Sequence, residues 1–543
     1  MKQVLYIGNV ITMNTYMPRA QAVLVQDGII QYVGSEKMAR KLCNAHATIM
    51  DFKGYYIYPG FLEAHCHPLG AGRALDPYEM AHLSDGESLE EYLQIMKTFI
   101  KTHPGRRIYR GYGFVEREVA PTAKMLDEIC TTVPVTLTSL DAHSVWLNSK
   151  AMEVFGVDKR AIEKYGTELI RVDEKGKPSG YISEAPAFAL DHSIPMKHFD
   201  GWRFLHESQD FFYKHGYTAV YDAGIELMTK KAVSIYHEAI SKGDYKLRTF
   251  AGSIIDENCE DIDKAIKNIV HLQKQYNNEY FKIIGVKLFA DGVMEAHTSL
   301  LQEDYIDKKG YKGLARMTNM NKLVPLYVAA SKNNLSVHVH TIGDGASHIH
   351  LDAIEKASIL TGKMDQRFAL AHLQVVDPKD IQRMADLNVV AVTSALWAPK
   401  DETYPQEVRY IGKERADHCY PARSFMDAGA VTVFHTDFPI SPNVSVPHSI
   451  YQAVKRRFPD QKEEDARNPE EALTRYQALQ AMTLNVAYMW HEEDNMGSLE
   501  IGKIANMAIF DKDFLEDDLE DIYNATVVCT IVDGDIVYQS KDE

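Results

Sequence analysis

A chain of 543 residues is longer than one hydrophobic core ordinarily organises, so a large domain with a smaller companion is expected. Its formal net charge of -17 argues against nucleic acid or an anionic membrane surface as partner, since both need a basic face, and leaves a small-molecule substrate as the easier fit. The 6 cysteines are scattered without CxxC pairs, the opening MKQVLYIGNVITMN lacks a basic and then apolar leader, and no apolar run reaches the roughly 20 residues that span a bilayer. A cytoplasmic protein without a disulfide framework is expected.

From the N-terminus, VLYIGNVIT, AVLVQDGIIQYVGS and ATIMDFKGYYIYPG alternate short β runs with turn signals, and Asp27-Gly28 marks a hairpin. The C-terminal IANMAIF and ATVVCTIVDGDIVYQ have the same texture, with Asp533-Gly534 as the turn. Both chain ends are therefore expected to build one small β-sandwich domain, residues 1–58 and 489–543. Between them, residues 59–488 alternate strand runs with helical patterns, the signature of a parallel α/β architecture. The runs FLEAHCH, YTAVYDAG, LRTFAGSI, IIGVKLFADG, LSVHVHTIGD, RFALAHLQ, VVAVTSALW and VTVFHTDFP number eight, which suits a TIM-type (β/α)8 barrel. A long insertion after the first strand, about 69–215, carries its own strands and reads as a cap over the barrel mouth.

In such a barrel the chemistry gathers at the C-terminal strand ends, so the polar residue closing each strand matters most. Side chains alternate along a strand, so His65 and His67 of PGFLEAHCHP face the same way. Imidazole is the preferred neutral ligand of zinc, but one HxH in a chain with 22 histidines is a modest signal, and a hydrogen-bonded core histidine is its rival. His338 and His340 form a second HxH; His340 stands nearer the strand end and is the better ligand candidate, with His338 behind it or packed. His372 is a lone histidine in an apolar strand. His348 and His350 follow on a helix, where structural or exposed roles are expected. Asp437 and Lys287 each put a charge at the end of a buried strand and so need a partner. For Asp437 that is a metal-bound water or a turn cap; for Lys287 it is chemical modification or simple pairing with Asp291.

Together these stretches resemble the amidohydrolase superfamily, in its amidohydrolase-3-like branch, over essentially the whole chain. The resemblance is carried by PGFLEAHCH, DAHSVWLNSKAM, GKPSGYISEA, GVKLFADG, HTIGDGA, LAHLQ, HTDFP and GSLEIGKIANMAIFD. It implies a (β/α)8 barrel with a β-sandwich, and a divalent metal, zinc above others, as one ion or two. His65 and His67 would bind one metal and His340 and His372 the second, while Asp437 would bind the first and shuttle the proton. Lys287, carboxylated by CO2, would bridge the ions, with Glu184 as the alternative or additional carboxylate. His143 would orient the substrate or stabilise the oxyanion, or else serve the structure of the cap.

The activity so implied is hydrolysis of a C-N bond, amide or formamide-like, in a small molecule. An esterase, lactonase or phosphoesterase on the same site and a non-catalytic scaffold are the alternatives. A homodimer fits the family. Trp397 after the seventh strand, His435-Thr436 before Asp437, DAHS in place of DGHS, and Asn506 in the last motif depart from the family pattern. These changes bear on substrate choice and leave the expected ligands in place.

Overall fold

The computed structural model describes residues 2–75, 80–83, 86, 88–116, 119–187, 190, 201–225 and 229–540. The chain forms two compact units: residues 1–68, 205–438 and 443–543 make the first, and residues 69–204 with 439–442 make the second.

The first unit holds the barrel expected from the sequence. Its strands are β1 (Phe61–Cys66), β2 (Tyr217–Ile225), β3 (Arg248–Ile254), β4 (Phe281–Phe289), β5 (Ser336–Thr341), β6 (Ala369–His372), β7 (Val390–Thr393) and β8 (Thr432–Phe434). All neighbours in this eight-stranded sheet pair in parallel and in chain order, with β1 and β8 at its two edges. Just past the strand ends, the Asp437 amide donates to the His65 carbonyl and the His67 amide to the Phe438 carbonyl, both at 2.9 Å, so the edges join where the site lies. The β-branched and aromatic content of these runs is what favours pleated, buried strands. Leu62, Ala64, Tyr221, Phe250, Ala371, Val392 and Val433 form one cluster with Val486, Met489 and Trp490, and the Trp490 ring stacks on Phe250 at 4.5 Å. Register then sets the height of each polar residue around the rim. Lys287 lies opposite His338, Phe289 opposite His340, and Thr341 opposite His372.

Both chain ends meet in one seven-stranded sheet of this unit. Its order runs Asp535–Gln539, Val527–Val532, Met507–Phe510, Thr48–Pro59, Gln3–Ile11, Arg19–Gln26 and Ile29–Gly34. Each expected hairpin turn has two residues of positive φ, Asp27 (48°) with Gly28 (82°) and Asp533 (53°) with Gly534 (71°), the pairing that a tight two-residue hairpin demands. These two turns touch, since a Cβ placed on Gly28 would stand 3.0 Å from the Asp533 carbonyl oxygen. The sheet therefore curls over and encloses Tyr6, Val25, Ile30, Ile57, Met507 and Ile531 between its halves. Among the described residues no helix is long and apolar enough to cross a membrane.

The second unit is built on a six-stranded sheet in the order Ile170–Val172, Pro178–Ser183, Ser144–Leu147, Val135–Ser139, Tyr109–Phe114 and Ala81–His82. The helix Leu89–Thr102 buries Tyr92, Met96 and Phe99 in the cluster that holds Leu137 and Trp146.

Candidate metal centre

Alternation along β1 carries His65 and His67 to the same place. His65 Nε2 lies 3.3 Å and His67 Nε2 3.2 Å from Oδ1 of Asp437, and the ligand atoms of the three residues all fall within 4.8 Å of one another. His65 and Asp437 are buried, while His67 is partly open. Behind His65 stands His338: His65 Nδ1 and His338 Nε2 are 2.8 Å apart, and the Tyr221 ring stacks on His338 at 4.7 Å. With Nδ1 turned to His338, Nε2 is the nitrogen of His65 that faces Asp437 and would serve as the ligand.

Glu63 was not singled out in the sequence, yet it sits two residues before His65 and ties the rim together. Its carboxylate accepts from the His65 amide at 3.0 Å and from the Thr436 amide at 3.1 Å, which locks β1 to the segment bearing Asp437. Burial pushes the Glu63 carboxyl up to about 8, against the pull of those two amides. The signal for it was the same alternation that singled out His65 and His67.

His372 and His340 stand beside this cluster. The ring centroid of His372 is 4.8 Å from that of His65 and 4.6 Å from that of His340, and its Nδ1 is 3.9 Å from Asp437 Oδ2. His340 Nε2 lies 3.2 Å from the Gly292 carbonyl oxygen. The Trp397 ring stacks on His372 at 5.6 Å with 17° between planes. His372 (φ 79°) and Asp437 (φ 58°) both occupy the left-handed region, which non-glycine residues visit at a cost of about 1–3 kcal/mol each and keep where the surroundings over-determine them.

Lys287 is buried, and among the described residues no carboxylate forms an ion pair with it; its ammonium lies 5.0 Å from the centroid of Phe289. The alternative of a Lys287–Asp291 pair is not what forms. Asp291 instead accepts from the backbone amides of Leu300, Ile342 and Gly343 at 2.8–3.0 Å, fixing the start of the helix Asp344–Thr361. Burial pushes the Lys287 amine down to about 7, with Asp437 pulling the other way.

His143 and Glu184 belong to the second unit, where they pair with each other. The His143 Nδ1 lies 3.2 Å from both carboxylate oxygens of Glu184, and the Glu184 amide donates to the His143 carbonyl at 2.8 Å. The register that places Ser183 opposite Ser144 brings them together.

The donor set fits a divalent cation. Burial holds His65, His338 and His372 far below the usual imidazole value, so they present neutral nitrogens. Burial alone would raise the Asp437 carboxyl, but His67, His372 and His435 outweigh it and keep the group anionic. Neutral imidazoles and a carboxylate bind a metal without first losing protons. Among the described residues His372 Nδ1 is also buried with no hydrogen-bond partner, a state that native proteins rarely tolerate without an ion or an ordered water.

This fold recurs in an uncharacterized metal-dependent hydrolase from Pyrococcus horikoshii, with a TM-score of 0.74 at 23% identity over 96% of this chain and 99% of that one. The chain belongs to the amidohydrolase family, whose model matches residues 48–538, and it is a hydrolase with a candidate His-His-Asp metal site. Among its relatives, the N-substituted formamide deformylase of Arthrobacter pascens is 28% identical over 98% of this chain and 97% of that protein. Protein LONG AFTER FAR-RED 3 of Arabidopsis thaliana is 27% identical over 98% of this chain and 90% of its own length.

Proposed function

We propose that the protein is a metal-dependent amidohydrolase that cleaves a C-N bond, amide or formamide-like, in a small molecule. The observation that carries this reading is the convergence of His65, His67 and Asp437 on one point, with Asp437 Oδ1 buried between the two imidazoles. The similarity to a protein named N-substituted formamide deformylase supports the choice of bond.

His65, His67 and Asp437 would hold the first metal. His340 and His372 would hold a second, with carboxylated Lys287 or Glu184 as bridge. A divalent metal in this set, zinc by its imidazole-rich donors, acidifies a water and polarises a carbonyl. His338 keeps His65 in the orientation that turns Nε2 toward Asp437. Asp437 takes a proton from the attacking water and hands it to the leaving nitrogen. The water oxygen joins the acyl carbon, the C-N bond breaks and the amine departs with that proton. Trp397, stacked on His372, offers a flat wall to the substrate. His143 is assigned to orienting the substrate. With its amine held near neutrality by burial, Lys287 has the free electron pair that addition of CO2 requires. A cytoplasmic location and a homodimer complete the reading; fractionation and sedimentation test them.

Metal content and turnover decide the matter. Stoichiometric metal, a mass gain of one CO2 on Lys287, and faster cleavage of N-substituted formamides and amides than of esters, lactones or phosphoesters are expected. Protein without stoichiometric metal would favour a scaffold, and turnover confined to esters or phosphoesters would overturn the assignment of the bond.

A further inference from the structure

His435 occupies the heart of the rim and belongs to no ligand set described above. It is 2% exposed. Its backbone is spoken for, since its amide donates to the Thr393 carbonyl at 3.0 Å and its carbonyl accepts from the Ser394 hydroxyl at 2.9 Å. Its ring is not: neither Nδ1 nor Nε2 has a hydrogen-bond partner among the described residues. An imidazole always carries at least one N–H, and in its neutral form one lone pair, so a buried ring with both nitrogens unmatched must meet something other than protein.

The surroundings say what that is. The His435 centroid is 5.2 Å from that of His65 and 5.0 Å from that of His372, and those two are 4.8 Å from each other. With metal–nitrogen bonds of about 2 Å and a tetrahedral angle, two imidazoles on one ion have centroids about 5 Å apart. His435 thus stands from His65, a ligand of the first ion, at the spacing of two imidazoles on one ion, whereas the Trp397 ring meets it edge-on at 5.0 Å and offers no lone pair or carboxylate. We propose that His435 is an additional metal donor, giving the lone pair of one ring nitrogen to the first ion, the one that His65 would hold. This rests on the metal-centre reading above and adds a donor to it.

The test loads full-length protein with cobalt(II), reads its visible absorption, and measures zinc affinity by competition with a chromophoric chelator. It compares wild type with His435→Phe, which keeps an aromatic ring beside Trp397 and removes both nitrogens. Loss of a donor is expected to weaken zinc binding by about tenfold or more and to shift the cobalt absorption. If His435→Phe does not fold, His435→Asn takes its place, with metal-free thermal unfolding as the check on folding. Unchanged affinity and absorption would overturn the proposal. Weaker binding with an unchanged cobalt spectrum would also overturn it, by making His435 a positioning residue. Failure of wild type itself to bind metal would overturn the metal-centre reading and this inference together.

Discussion

Two buried histidines of the first unit are alike in enclosure and differ in what their ring nitrogens meet. His350, on the helix Asp344–Thr361, and His435, at the rim, are both enclosed, and burial brings both rings down to about 4. His350 meets the Tyr327 hydroxyl through Nδ1 and the Met317 carbonyl through Nε2, each at 2.8 Å. Among the described residues the His435 ring meets neither kind of partner. Burial and titration therefore do not separate a structural histidine from a functional one. Whether the ring's hydrogen-bonding capacity is used up by protein does, and at the rim His372 Nδ1 shares the unspent capacity among the described residues.

The comparison is broken most directly by removing the metal. Dialysis against a strong chelator should reduce hydrolysis to background, zinc should restore it, and the same treatment should leave the His350 helix intact by circular dichroism. Next in size, Asp437→Asn should lower kcat by about 10²–10⁴-fold while retaining metal, as expected of a lost general base; full activity across an amide panel would remove Asp437 from the proton path. His338→Phe takes away the hydrogen bond that orients His65 and should weaken zinc binding by about 10–100-fold, read by chelator competition.

The smallest effects fall on the structural side. His350→Leu should leave turnover unchanged but destabilise the protein by about 1–3 kcal/mol at neutral pH, because Tyr327 and Met317 lose their partner, which denaturant titration would register. The sign with pH follows from the lowered value. The unfolded chain protonates this imidazole near 6.5 and the folded protein only near 4, so its contribution is complete above about pH 6.5 and drains away as pH falls toward 4. That loss amounts to about 3 kcal/mol, and His350→Leu should flatten the stability profile by that amount over this window.

Much of the barrel was legible because its information is local. Eight apolar β-branched runs mark eight strands, and a period of two says which histidines of an HxH share a face. Asp27-Gly28 and Asp533-Gly534 announce their turns because few other pairs accept two positive φ values. What was not legible depends on partners distant in sequence. Pairing with Asp291 was one of two outcomes open to Lys287, but the amides of Leu300, Ile342 and Gly343 claim that carboxylate. Glu63 gains its role only when Thr436 is brought against it. His143 and Glu184 lie 41 residues apart and meet through strand register alone. The unmatched ring of His435 is further still from sequence, since a lack of partners is a property of everything around a residue.

The seven-stranded sheet has a consequence for how the molecule is made. Strand Thr48–Pro59 is flanked on one side by Gln3–Ile11 and on the other by Met507–Phe510, where Ile57 stands opposite Ile509. A newborn chain thus exposes one bare flank of that strand throughout synthesis of the barrel, and an unpaired flank is a template for association with other copies. Ribosomes stalled before residue 507 would display this flank permanently, so chaperone capture of the nascent protein should cease only after the closing strands emerge.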